Sequence, residues 1–158
     1  MLLYLLRHAE AEPCITADFS RRLTEKGIGQ AERVGEFLLA RNLKPDLILT
    51  SPVTRAKETA RIVFEKMRGQ SDLSKVSWLA CGMDPGTAME ELTAYAKFDS
   101  IMIVGHEPDF SGLIATFLGM GSSSSINVSK ASLTAIDLSR FTSGGGVLRF
   151  FLPVKFLR

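Results

Sequence analysis

The chain has 158 residues, 46% of them hydrophobic and 23% charged, a size and balance that suit one globular domain over residues 1–158. A net charge of +2, with its basic residues scattered, excludes a nucleic-acid-binding face. Two cysteines in no ligand spacing argue against a disulfide framework or a zinc site. The apolar opening "MLLYLL" lacks the basic flank and length of a leader, and no run spans a membrane, so the expected compartment is the cytoplasm.

The chain repeats one local pattern three times: a short apolar run, polar residues, then a helical period. Leu2–Leu6 predicts a buried strand that ends in Arg7-His8. After a loop through Pro13 and Asp18, Thr24 is a helix cap, and Ile28, Ala31, Val34 and Leu38 recur at helical spacing until Asn42 and Pro45. Leu47–Thr50 predicts a second strand, followed by Ser51-Pro52. Pro52 suits the first turn of the next helix, whose stripe is Ala56, Ala60 (or Thr59), Val63 and Met67, and Arg55 falls in or near that turn. "SWLACGMDPGTAMEELTAYAKF" reads as a loop and then a short helix from about Thr87.

Ile101–Val104 predicts a third buried strand. Gly105 allows a tight turn there, His106 follows, and a helix carries Leu113, Ile114, Phe117 and Leu118. "GMGSSSSINVSK" is a polar loop. The final stretch to Pro153 predicts two strands joined by a glycine-rich hairpin. Alternating strands and helices imply an α/β sandwich with a largely parallel central sheet, closed by antiparallel strands.

In such sheets ligands bind beyond the carboxyl ends of the strands. Arg7, His8, Arg55 and His106 all stand just past three such ends, and they include both histidines of the chain. Each alone has an ordinary reading, as a loop residue, a cap or a solvated cation. Together, two guanidiniums and two imidazoles form a cluster suited to a phosphoryl group. Arginine offers planar paired donors, helix N-termini add N–H groups, and imidazole is a donor or a nucleophile. There is no Walker loop, cysteine phosphatase loop or paired-aspartate metal site, which leaves a histidine nucleophile without metal or cofactor.

"LLRHAEAE", "RRLTEKG", "LTSPVTRAKETA" and "IMIVGHEPDFS" resemble, in order and spacing, the histidine phosphatase superfamily, and most closely its short SixA-type phosphohistidine phosphatases. The resemblance implies a three-layer α/β/α sandwich of the phosphoglycerate mutase type. It also implies that His8 is the phosphorylated nucleophile, that Arg7 and Arg55 hold phosphoryl oxygens, that His106 donates to them, and that Arg21 is a further phosphate-pocket arginine. Ala9 stands where many members have glycine, and would be strained if the turn there required positive φ.

Phosphatases of the superfamily that act on esters carry a carboxylic acid to protonate the leaving alkoxide, whereas imidazole leaves readily without one. The acid candidates are Glu107, Glu90 with its neighbour Glu91, and Glu10. A charged outer helix face accounts for Glu90 and Glu91, and the electrostatics of a helix start account for Glu107. With short connections that leave the pocket open, the expected substrate is a phosphohistidine on a protein partner of the phosphorelay type. The alternatives are a small-molecule phosphomonoesterase or a phosphate-recognising binding module, and a mutase is less favoured.

Overall fold

The computed structural model describes residues 1–15 and 17–157. Six strands form one sheet: β1 (Leu2–Arg7), β2 (Leu47–Thr50), β3 (Asp72–Lys75), β4 (Ser100–Gly105), β5 (Leu133–Leu138) and β6 (Gly146–Leu152). Their order is β3-β2-β4-β1-β5-β6; the first four are parallel, and β5 and β6 close the sheet antiparallel. The helices are α1 (Glu25–Ala40), α2 (Thr54–Lys66), α3 (Pro85–Thr93) and α4 (Asp109–Phe117).

Alternation along β1 sets the layers. Tyr4 and Leu6 pack with Ala31, Val34 and Leu38 of α1 and with Ala56, Ala60 and Val63 of α2. Leu3 and Leu5 face the other way, into a core with Ala88 and Leu92 of α3 and Phe110, Leu113 and Phe117 of α4. The result is the expected three-layer sandwich. Strands β1, β2 and β4 are apolar on both faces because both faces are covered.

Thr24 caps α1 as predicted, its Oγ1 accepting from Gly27 N at 3.1 Å. The buried stripe of α1 holds Ala31, Val34 and Leu38 as expected and differs at its first position: Gly27 is buried and Ile28 is 43% exposed. The reason is space, since a Cβ on Gly27 would lie 1.9 Å from the carbonyl oxygen of Glu10. Helix α1 therefore seats its first turn on the backbone just past His8. Pro52 lies before Val53, the cap of α2, and not in the first turn; Arg55 does lie in that turn. Helix α3 begins at Pro85, two residues before the expected Thr87, because Asp84 caps it by accepting from Thr87 N at 2.9 Å.

Gly105 is also needed for a different reason from the one expected. It continues β4 in register with Arg7, and a Cβ there would meet the Phe110 ring at 2.8 Å. Strand β3 has no counterpart among the predicted elements: its four exposed residues carry no apolar signal, and pairing with β2 alone defines it. Among the described residues no helix is long and apolar enough to cross a membrane.

Candidate active site

The sheet register brings the site together. Arg7 is level with Gly105, and Thr50 with Val104. The ladder runs one residue further, with His8 N donating to Gly105 O at 2.9 Å and Ser51 N to Val104 O at 3.0 Å. Three chain segments thus leave the sheet at one level, with β4 between the other two strands. His8 and His106 end with ring centroids 5.4 Å apart, both buried.

Hydrogen bonding fixes the state of His8. Its Nδ1 lies 2.7 Å from Ala9 O, and a carbonyl can only accept, so Nδ1 carries the hydrogen. Nε2 then holds a lone pair and accepts from Arg55 Nε at 3.2 Å. Burial, opposed by the bond to Ala9 O and assisted by the nearby cations, lowers its pKa from 6.5 to about 3. His106 is lowered to about 4, first by burial and then by Arg55. Both imidazoles are neutral near pH 7.

Ser51 orients His106. Its Oγ accepts from Val53 N at 3.2 Å and lies 2.8 Å from His106 Nε2, to which its own hydrogen is free to point. In that arrangement Nδ1 of His106 carries the hydrogen. This Nδ1, Arg7 Nε and Arg21 Nε are buried and have no hydrogen-bond partner among the described residues. Buried donors are ordinarily satisfied, so three such groups in the neighbourhood of two neutral histidines suit an anionic ligand.

The backbone past His8 is held from below. Ala9 N donates to Thr59 Oγ1 at 3.0 Å, and that hydroxyl donates to Arg55 O at 2.7 Å, so α2 anchors the loop that follows His8 and its own arginine together. Ala9 does not have positive φ, and alanine is unstrained there. Arg7 reaches across to Val128 O at 2.7 Å.

Arg21 and its neighbour part ways. Arg21 turns inward, pairing with Asp18 at 2.7 Å and donating to Glu12 O at 3.0 Å, while Arg22 turns out to Glu58. Asp18 also takes Arg55: its Oδ2 lies 3.1 Å from NH2 and its carbonyl accepts from NH1 at 2.9 Å. The Cys81 thiol stands 3.5 Å from the same NH2, its pKa raised by burial. Asp109 holds that segment by accepting from Gly82 N at 2.9 Å.

Asp18, Ser51, Thr59, Cys81 and Asp109 had no assignment from sequence. Ser51 is the one with a signal, standing beside a strand end as His8 and His106 do.

The acid candidates are placed elsewhere or otherwise engaged. Glu90 lies two residues from each of the core-facing Ala88 and Leu92, which turns it to the exposed side of α3, and Glu91 is exposed as well. Glu107 accepts from Ser111 N at 2.8 Å at the start of α4, while its charge acts on Arg7. Glu10 pairs with Lys26 at 2.8 Å and accepts weakly from Thr24, so its pKa is lowered, first by Lys26. Among the described residues no three His, Cys, Asp or Glu side chains form a metal-holding group.

The model of the histidine phosphatase superfamily (branch 1) matches residues 3–76. A protein of unassigned function from Mycobacterium tuberculosis is 31% identical over 147 residues, which covers 91% of this chain and 86% of that one. The chain belongs to the histidine phosphatase superfamily. The match to the 2,3-bisphosphoglycerate-dependent phosphoglycerate mutase of Rhodococcus opacus is 43% identical but spans 67 residues, 40% of this chain and only 27% of the mutase. A chain from Agrobacterium tumefaciens assigned as the phosphohistidine phosphatase SixA superposes with a TM-score of 0.83 at 25% identity. It covers 96% of this chain and 97% of its own length. This superfamily member therefore matches a SixA-type chain over nearly its full extent, and the longer Rhodococcus mutase over about a quarter of its length.

Proposed function

We propose that the protein is a phosphatase that works through a phosphohistidine intermediate on His8, and that its substrate is a phosphohistidine on a protein. The observation that carries the reading is His8 Nε2, a lone pair held on Arg55 Nε while Nδ1 is committed to Ala9 O.

In this mechanism Arg55, Arg7 and Arg21 bind the phosphoryl oxygens. Arg55 Nε passes from the His8 lone pair to an oxygen, which frees that pair to attack phosphorus. The bond from phosphorus to the departing nitrogen breaks as the new one forms. Ala9 O stabilises the resulting phosphoimidazolium through Nδ1–H, and His106 Nδ1–H donates to the equatorial oxygens as charge builds on them. Water then attacks phosphorus, the bond from phosphorus to His8 Nε2 breaks with its electron pair returning to the ring, and the proton of the water leaves with the released phosphate.

The substrate reading is supported by the engagement of Glu10 and Glu107 in other bonds, which leaves no evident donor for an alkoxide. It is supported also by an open rim, where Ile15 is 86% and Phe19 56% exposed, as a protein surface requires. A small phosphoester is the second reading. A cleft of about 460 Å³ lined by Arg7, Lys130 and Lys155, with Glu10 as its one carboxylate, favours it, since the excess of cations suits the anionic body of such a molecule.

Incubation with a labelled phosphodonor tests the mechanism. Wild type acquires acid-labile, base-stable label and His8→Ala acquires none; stoichiometric binding without label or phosphate release would identify a binding module instead. A panel of a phosphohistidine protein and small phosphoesters tests the substrate. An ester turned over orders of magnitude faster reverses the substrate assignment and leaves the mechanism intact.

A further inference from the structure

Among the described residues Asp18 is the one carboxylate in contact with the guanidiniums of the site, and the mechanism leaves it unused. Its two oxygens span Arg21 and Arg55, at 2.7 Å and 3.1 Å, and its side chain is 51% exposed. The guanidinium of Arg55 supplies a ruler. Its Nε end touches His8 Nε2, and its NH1 and NH2 end touches Asp18. A phosphoryl group bound along Arg55 with His8 behind it has Asp18 on the outer side. In an in-line displacement that is the side from which the leaving group departs.

We propose that Asp18 determines specificity for phosphoramidates, by accepting a hydrogen bond from the free ring N–H of the departing imidazole. The inference rests on the phosphatase reading above and deepens it. Phosphohistidine carries phosphorus on one ring nitrogen, and in its protonated form the other carries hydrogen. As His8 attacks, the bond from phosphorus to nitrogen breaks and its electron pair stays on the departing ring, which leaves neutral with its N–H still bonded to Asp18. The carboxylate neither gains nor loses a proton. What it contributes is a charge-assisted bond that favours the protonated form, the form whose phosphorus–nitrogen bond is weakest.

The chemistry of Asp18 excludes the opposite role. Burial raises its pKa, but the charges and hydrogen bonds of Arg55 and Arg21 outweigh this and hold it below the ordinary value. An ionised carboxylate cannot protonate an alkoxide, and it repels a phosphate ester whose leaving group offers no N–H. The other groups that feel its charge are His106 and Cys81, facing it from the end of β4 and from the segment before α3. Both are neutral near pH 7; Asp109, whose charge also acts on Cys81, is turned to Gly82 N, so Asp18 is the carboxylate that pairs with Arg21 and Arg55.

The test compares Asp18→Asn with wild type on two substrates, a phosphohistidine peptide and p-nitrophenyl phosphate, across pH 5 to 9. The substitution retains shape and removes charge. The expected result is a fall of about tenfold or more in the ratio of kcat/KM values, phosphohistidine over aryl phosphate. The aryl rate itself rises as repulsion is removed. The alkaline limb of the phosphohistidine profile moves to lower pH in Asp18→Asn, and Asp18→Glu restores the ratio in part.

An equal loss on both substrates overturns the proposal and reduces Asp18 to a prop for Arg55. So does an unchanged ratio with an unmoved pH limb. Wild type that hydrolyses the aryl ester but not phosphohistidine overturns the substrate reading, and this proposal with it. Wild type that acquires no label overturns the mechanism.

Discussion

Ser51 offers the reaction no chemistry of its own, yet when its hydroxyl donates to His106 Nε2 it holds the hydrogen of that ring on Nδ1. It is fully buried, it satisfies Val53 N at the start of α2, and it meets His106 Nε2. Ser51→Ala removes both partners at once. A buried donor without a partner costs about 1–3 kcal/mol, which denaturant unfolding measures directly. The rate tells more than the stability. Without Ser51, His106 is free to place its hydrogen on either nitrogen, and the donor that the proposed mechanism directs to phosphoryl oxygen is lost part of the time. We expect kcat to fall about tenfold with KM little changed, the signature of an interaction made in the transition state. Ser51→Thr, which keeps the hydroxyl, recovers most of the rate where the added methyl is accommodated.

At the scale of elements the critical contact is between α1 and the chain past His8. Gly27 meets the Glu10 backbone so closely that a methyl group would sit 1.9 Å from its carbonyl oxygen. Gly27→Ala therefore forces α1 or the loop to move. We expect a loss of about 3 kcal/mol or more in urea unfolding, with activity falling further than the unfolded fraction explains, because Ala9 and His8 move with Glu10. Gly29→Ala, two residues on with open space around it, serves as the control and costs nothing measurable. The contrast also explains what could be read from sequence. Helical spacing located α1, α2 and α4, because an apolar stripe is a one-dimensional signal, and the turn signal of Pro85-Gly86 located α3. The spacing placed Ile28 in the stripe instead of Gly27, because a glycine buried for closeness has no side chain to announce itself. The strand ends and their cluster were legible for the same one-dimensional reason, buried runs that stop at Arg7, Thr50 and Gly105. Asp18 was not. Its position over Arg55 depends on how a loop folds back through Arg21, and no local pattern encodes that. Strand β3 was hidden because an exposed edge strand needs no apolar alternation.

Across the whole molecule, the two neutral histidines make stability depend on pH in a definite direction. Unfolded, each takes up a proton near pH 6.5; folded, His106 does so at about 4 and His8 at about 3. Between 6.5 and 4 the unfolded chain binds more protons than the folded one, so stability falls as pH falls. Each histidine contributes a slope of up to about 1.4 kcal/mol per pH unit in that window. Below 4 only His8 continues, to about 3. Asp18 and Glu10, both with lowered pKa values, lose their own contributions as pH drops through the carboxylate range. Asp109 opposes them, since burial raises its pKa and the folded form gains its proton first. The slope is halved at pH 6.5 and these groups exert almost none above about pH 7.5. Denaturant unfolding at pH 7.5, 6.0 and 5.0 measures the curve, and His106→Gln isolates half of it. The variant should lose about half the slope between pH 6.0 and 5.0 and be flat like wild type above about pH 7.5. An unaltered slope would mean that His106 is charged in the folded state, and the neutral donor assigned to it in the mechanism would have to be abandoned.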